Sequence, residues 1–211
     1  TKTRSVEEVS AALAAGVTDV GENRIQEAGT KRAQVQGSAR WHLIGQLQRN
    51  KAGRAVDIFD VVQSVDSSRL ADALNRHAAE SDRCLETLLQ VSTSGAGQQG
   101  GVDPDELPAL LDHVAGLDHL RVRGLMTIAA HSDNQDEVRG CFRRLHALAE
   151  EHRHRGPSSL DTLSMGMSGD YEIAIEEGAT MIRVGTVLFG ERVLSDERAE
   201  FAKQTSDGKP E

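Results

Sequence analysis

The sequence predicts a single α/β domain, a TIM-type (β/α)8 barrel. Short apolar runs end near residues 20, 45, 65, 91, 126, 165 and 185, and helical patterns fill the intervals. Such alternation calls for parallel strands joined by right-handed crossovers. Polar residues cluster where the runs end: Asn23, Gln46, Ser64, Ser92, Thr127, Ser168 and Thr186. In a barrel these ends converge on one rim, where ligands bind. A doubly wound open sheet is the competing architecture. The 211 residues suit one such domain. It is expected to span residues 1–194, with a polar, partly mobile segment over 195–211 that lacks apolar rhythm.

Each element has its own signal. Val6–Ala15 reads as an amphipathic helix, with Ser5 as cap, Glu8 as the capping-box acid and Gly16 past its end. Val17–Val20 is the next strand. Arg24–Gln36 is helical, His42–Gly45 a strand, Gln46–Val56 a helix with a basic, polar face, and Phe59–Val65 a strand. Ser67–Ser81 is a helix and Cys84–Val91 a strand, followed by a glycine-rich loop. Asp103 caps a helix whose first position is Pro104. Val122–Met126 is a strand and Asn134–Arg155 a long helix. A strand ending at Met165, a helix over Asp170–Glu177 and a strand over Met181–Val184 complete the order. Nothing precedes the helix at Val6, so the barrel's first strand is expected at or before the start of this sequence, with Lys2 at its carboxyl end.

Composition narrows the function. The net charge of −9, without a local basic patch, argues against a nucleic-acid partner. No apolar run approaches the about 18 residues that span a membrane. Two cysteines, Cys84 and Cys141, form neither a disulfide framework nor a metal-ligand spacing, which suits a reducing, cytoplasmic setting. With aromatics at 3%, the core must be built from Leu, Val, Ile and Ala.

The most informative stretch is Leu163–Arg192. Ser168 can cap the helix that follows it, where free backbone N–H groups favour an anion. Gly185 lets backbone approach a ligand, and Thr186 adds a hydroxyl. Together they read as a phosphate site after the last two strands; the alternative is a plain cap and plain turns. Lys2 would face this site across the barrel mouth. A lysine amine and a phosphate anchor are what a pyridoxal phosphate site requires; a solvated lysine is the alternative. Arg183 lies inside an apolar strand, where a buried charge needs a partner. It either pairs with a barrel glutamate or faces a cofactor's pyridine nitrogen, which a guanidinium would hold unprotonated. His42 either lines the same pocket or is a hydrogen-bonded structural histidine. Gly95–Gly100 fits G-x-G-x-x-G, but residues 101–103 separate it from the next helix, so it reads as a flexible loop.

With these residues in place, the sequence resembles the pyridoxal phosphate homeostasis proteins, single-domain relatives of the alanine racemase barrel. The matching blocks are Gly21-Glu22-Asn23, W-H-L-I-G-Q-L-Q-R-N-K at Trp41–Lys51, and Ser64-Val65-Asp66-Ser67. Arg123–Ala129, Leu163–Ser168 and R-V-G-T-V-L-F-G at Arg183–Gly190 complete them. The resemblance implies a fold type III pyridoxal phosphate barrel. It implies a Schiff base on Lys2, a phosphate held by Ser168, Gly185 and Thr186, Arg183 at the ring nitrogen, and Asn23 and His42 lining the pocket. The sequence departs from the family pattern at Gln46, Ser92 and Gln99. By resemblance the protein binds, buffers and delivers the cofactor to apo forms of pyridoxal phosphate enzymes, as a monomer and without turnover. A racemase-like enzyme is the runner-up. It needs a second acid/base group, and the one tyrosine, Tyr171, falls on the phosphate-side helix. A barrel for another phosphorylated metabolite is the third reading.

Overall fold

The computed structural model describes residues 1–95, 100–155 and 160–191. Strands β1 (Asp19–Glu22), β2 (Arg40–Leu43), β3 (Val61–Val65), β4 (Leu85–Gln90), β5 (Leu120–Met126), β6 (Thr162–Met167) and β7 (Met181–Arg183) form one sheet. Every neighbouring pair is parallel, and the spatial order follows the chain from β1 to β7. A strand order without reversal has no switch point, so this is a nearly closed barrel and not a doubly wound sheet. Helices α1 (Val6–Ala14), α2 (Ile25–Gln34), α3 (Ala52–Ile58), α4 (Ser68–Glu80), α5 (Leu107–Val114), α6 (Gln135–His152) and α7 (Tyr171–Glu176) alternate with the strands, and a short α8 (Thr186–Phe189) follows β7. Thr1–Arg4 lies along the seam between β7 and β1. The Thr1 nitrogen donates to the Gly21 carbonyl at 2.5 Å, while Arg4 donates to the Gly190 carbonyl and stacks 5.3 Å from the Phe189 ring centroid.

The start signals act as the sequence predicts. Ser5 Oγ accepts from the Glu8 N–H at 3.2 Å, and Glu8 Oε2 accepts from the Ser5 N–H at 2.7 Å, the reciprocal capping box. Asp103 accepts from the Asp105 N–H at 3.0 Å, and Asn134, which the sequence pattern places inside the helix, caps α6 by accepting from the Asp136 N–H at 3.0 Å. Beneath the helices the core is Leu, Val and Ala with three large aromatics, Trp41, Phe59 and Phe142. The barrel interior differs in character. Glu86 pairs with Arg40 and Arg123 toward the amino-terminal end, and His42, Gln63 and Ser164 are buried further along.

Two elements shift from expectation. The helix predicted over Gln46–Val56 begins only at Ala52, after a 3-10 turn over Arg49–Lys51. Extended backbone buries Leu47 between exposed Gln46 and Gln48, a period of two that no helix can supply. The first complete strand runs to Glu22 rather than stopping at Val20, because Gly21 and Glu22 pair with His42 and Leu43. Residues 96–99 of the glycine-rich loop, including Gln99, and the 195–211 tail lie outside the described residues.

Gly45 brings the loops after β1 and β2 together. A Cβ there would stand 2.3 Å from the Asn23 carbonyl oxygen and 2.8 Å from its Cα. Gly45→Ala should therefore lower stability by about 1–3 kcal/mol through overpacking, read as a lower urea midpoint. Gly140→Ala, whose Cβ would meet nothing within 4 Å, should not lower it.

Candidate functional site

Lys2, Asn23, His42, Ser168, Arg183, Gly185 and Thr186 all line one cavity of about 540 Å³. Parallel pairing delivers the carboxyl ends of β1, β2, β6 and β7 to this rim, and Thr1–Arg4 brings Lys2 to it across the seam.

Lys2 is clamped through the peptide groups on either side. The Thr1 carbonyl accepts from Lys31 Nζ at 2.7 Å, and the Thr3 N–H donates to Glu27 Oε1 at 2.7 Å. Lys31 also bonds Glu22 Oε1 at 2.9 Å and Glu27 Oε1 at 2.7 Å. Glu22 is fully buried, so this is an ion cluster under α2, and it closes onto the backbone that carries Lys2. Thr3 takes φ +64° to make the bend. The Lys2 amine itself has no hydrogen-bond or ion-pair partner among the described residues.

Opposite in sequence, Ser168 does not cap its own helix. Asp170 accepts from the Met167 N–H there, at 2.5 Å. The Ser168 hydroxyl instead crosses to β7, accepting from the Gly185 N–H at 3.0 Å and the Val187 N–H at 3.4 Å. A Cβ at Gly185 would meet no atom within 4 Å, so the space beside this backbone is open. The Thr186 N–H and hydroxyl have no partner among the described residues. These donors at two adjacent strand ends form a concave anion cradle.

Arg183 resolves one of the alternatives. It has no ion pair among the described residues; Nη1 donates to Ser164 Oγ and Nη2 to the Thr127 carbonyl, both at 2.8 Å. Burial pushes its guanidinium down to about 10, against the pull of Asp170, so it stays charged at neutral pH. A cation satisfied by neutral acceptors leaves a positive field in the cavity.

His42 is both things the sequence allowed. It lines the cavity and is buried in a hydrogen-bonded array, with Nε2 at 2.8 Å from Asp19 Oδ1 and Nδ1 at 2.9 Å from Gln63 Nε2. Burial holds its pKa below the usual histidine value despite the Asp19 bond. Partial burial would raise Asp19, but the bonds from Thr18 and His42 outweigh it and hold that carboxyl low.

Four of the strand-end residues do not line the cavity. Ser64 Oγ donates to the Gly45 carbonyl at 2.7 Å and Thr127 Oγ1 to the Val91 carbonyl at 2.8 Å, so their hydroxyls bind neighbouring loops. Gln46 and Ser92 also stand outside the lining. The residues that sequence reasoning missed are Gln63, Ser164 and Asp19, together with the Glu22–Lys31–Glu27 clamp. Gln63 within Val61–Val65 and Ser164 between Leu163 and Met165 carried a signal: each is a polar side chain inside an apolar strand.

Comparison with known proteins gives first the class. The family pattern of the alanine racemase N-terminal domain matches residues 2–193. The chain is 39% identical over 178 residues to the pyridoxal phosphate homeostasis protein of Aquifex aeolicus strain VF5, covering 84% of this chain and 78% of that protein. Structures of PipY from Synechococcus elongatus PCC7942, solved without and with PLP bound, match with TM-scores of 0.86 and 0.83. Both are 42% identical and cover 90% of this chain and 89% of theirs. The chain belongs to the pyridoxal phosphate homeostasis protein family.

The low pKa of His42 has a consequence for stability. On acidification the unfolded chain takes up this proton first, so the contribution is full at neutral pH and is lost as pH falls below about 6.5. The urea midpoint should drop between pH 7 and pH 5.5, and the drop should be smaller in His42→Gln.

Proposed function

We propose that this protein binds pyridoxal 5'-phosphate and acts as a buffer and carrier for it. One observation carries the reading: a free lysine amine, an anion cradle and a guanidinium share a single cavity. Bound there, the cofactor supplies an aldehyde able to capture amines. The Lys2 amine would link to the aldehyde carbon, with the aldehyde oxygen leaving as water. Ser168, Gly185 and Thr186 would hold the phosphate through backbone N–H and hydroxyl donors, and Asn23 and His42 would flank the ring. The residues fit the group: the Gly185 backbone has open space beside it and Thr186 has donors to spare. The relative PipY has been solved with PLP bound, which supports binding of the same cofactor here.

Arg183 explains why carriage is favoured over turnover. Its guanidinium can only donate, so it would keep the ring nitrogen unprotonated and the cofactor a weak electron sink. A two-base racemase also needs a second acid/base group at the substrate carbon. Tyr171 stands outside the cavity lining, with its hydroxyl toward Glu172. The expected recipients are apo forms of pyridoxal phosphate enzymes, and the expected working state is a monomer. A reducing cytoplasm suits the unpaired Cys84 and Cys141. No helix among the described residues is long and apolar enough to cross a membrane.

Spectroscopic titration with pyridoxal phosphate tests this reading. Lys2→Ala should abolish the absorbance of the covalent adduct while leaving weaker, non-covalent binding. Gly185→Ala, whose Cβ would fill the open space assigned to the phosphate, should keep the wild-type melting temperature but bind roughly ten- to a hundredfold more weakly as the phosphate is pushed off its hydrogen-bond donors. Wild-type affinity in Gly185→Ala would contradict the phosphate assignment, and measurable racemisation of alanine or serine at enzyme-like rates would contradict the carrier role.

A further inference from the structure

The polar residues inside the barrel form a continuous chain across five strands and the loop beside them. Arg183 Nη1 is 2.8 Å from Ser164 Oγ, Ser164 Oγ is 2.7 Å from Gln63 Oε1, Gln63 Nε2 is 2.9 Å from His42 Nδ1, and His42 Nε2 is 2.8 Å from Asp19 Oδ1. Ser164, Gln63 and His42 are each at most 2% exposed, so water cannot rewrite these bonds.

The two ends set the direction of every bond between them. Arg183 can only donate, and the Asp19 carboxylate can only accept. Ser164 accepts from Arg183 and gives its one proton to Gln63 Oε1. The Gln63 carbonyl is then turned toward Ser164 and its amide N–H groups toward His42 Nδ1 and, at 3.1 Å, the Met181 sulfur. His42 Nδ1 must therefore be the lone-pair nitrogen, and Nε2 carries the proton given to Asp19. Reversing Gln63 would aim its amide at Ser164, which already accepts from Arg183, and its carbonyl at Nδ1. That arrangement holds only if Nδ1 gains a proton and the Ser164 hydroxyl finds a new acceptor.

We propose that Gln63 and Ser164 are positioning residues: they form a one-way relay that fixes the Nε2–H tautomer of His42 and orients the Arg183 guanidinium toward the cavity. The proposal rests on the cofactor reading for its consequence and on the chain's own geometry for its existence. The relay makes the ring-nitrogen contact depend on residues that never touch the ring. Through Arg183, a change at Gln63 alters how the cofactor's pyridine nitrogen is held, although neither Gln63 nor Ser164 would bond the phosphate or the aldehyde. The charged and titratable groups that face His42 are Asp19 on β1, Arg40 on its own strand and Asp60 before β3. Asp19 accepts from Nε2, so that nitrogen carries a proton in either case, and Gln63, the partner of Nδ1, decides whether Nδ1 keeps its lone pair or takes a second proton.

The test uses 15N chemical shifts of His42 in the cofactor-free protein, together with pyridoxal phosphate titration. In the wild type His42 should be the neutral Nε2–H form at pH 7 to pH 8. Gln63→Glu replaces the amide donor with a second acceptor, so His42 should become doubly protonated over that range. Its affinity for pyridoxal phosphate should fall about tenfold, a loss of one hydrogen bond to a charged group, and the absorbance maximum of the bound cofactor should shift. Ser164→Ala, a small change, should keep the fold, free Gln63 to reverse so that part of His42 becomes doubly protonated, and weaken binding by a similar factor. A wild-type Nδ1–H tautomer would overturn the relay, as would unchanged His42 shifts and affinity in both variants. A wild-type protein that shows the expected shifts but binds no pyridoxal phosphate would instead overturn the cofactor reading and leave the relay standing.

Discussion

Parallel pairing in strict chain order is the constraint from which the site follows. Each βα unit leaves its strand at the same rim, so residues that are remote in sequence meet there without any long-range motif to bring them together. Asn23 and Thr186 share a cavity for this reason, and the Thr1–Arg4 segment adds Lys2 across the seam. The register irregularity between Ser164 and Met167 in the β6–β7 pair adds the local detail. It lets Ser168 reach across to the Gly185 and Val187 N–H groups in place of capping the helix on its own side.

Inside that frame the chain divides its polar and apolar work. The Leu, Val and Ala core packs under the helices, and the barrel interior carries Arg183, Ser164, Gln63 and His42 beside apolar side chains such as Met181. A buried guanidinium without a carboxylate is costly unless its donors are met. Arg183 meets two of them with Ser164 and Thr127 and keeps a net charge toward the cavity. Pairing with a glutamate would have made the site neutral and structural. Neutral acceptors leave it electropositive, which is the property an anionic, electron-rich ligand needs. On the other side, the Glu22–Lys31–Glu27 cluster, with Glu22 and Lys31 buried, holds the Thr1–Arg4 segment as a fixed support for Lys2.

Much of this was legible in the sequence, for identifiable reasons. The alternation of apolar runs with helical patterns placed all seven strands, and the Ser5 and Asp103 caps marked helix starts because capping chemistry is local. All seven residues read as the site line the cavity. What was not legible depends on partners distant in sequence. The helix at Gln46 fails because Leu47 is claimed by the core, which no local propensity reports. Ser64 and Thr127 looked like rim residues, yet their hydroxyls are taken by the carbonyls of Gly45 and Val91, just past the ends of the neighbouring strands. Gln63 and Ser164 were visible as polar interruptions of apolar strands, but their meaning required knowing that β2, β3, β6 and β7 face one interior.

The central claim is that the Lys2 amine and the Ser168–Gly185–Thr186 cradle engage opposite ends of one cofactor molecule. Borohydride reduction of the protein loaded with pyridoxal phosphate, followed by peptide mass spectrometry, tests it directly. The sequence contains five lysines, Lys2, Lys31, Lys51, Lys203 and Lys209, so the label has real alternatives. The account predicts a single pyridoxyl group on the peptide that carries Lys2. A label spread over the other four, or concentrated on any one of them, would contradict it.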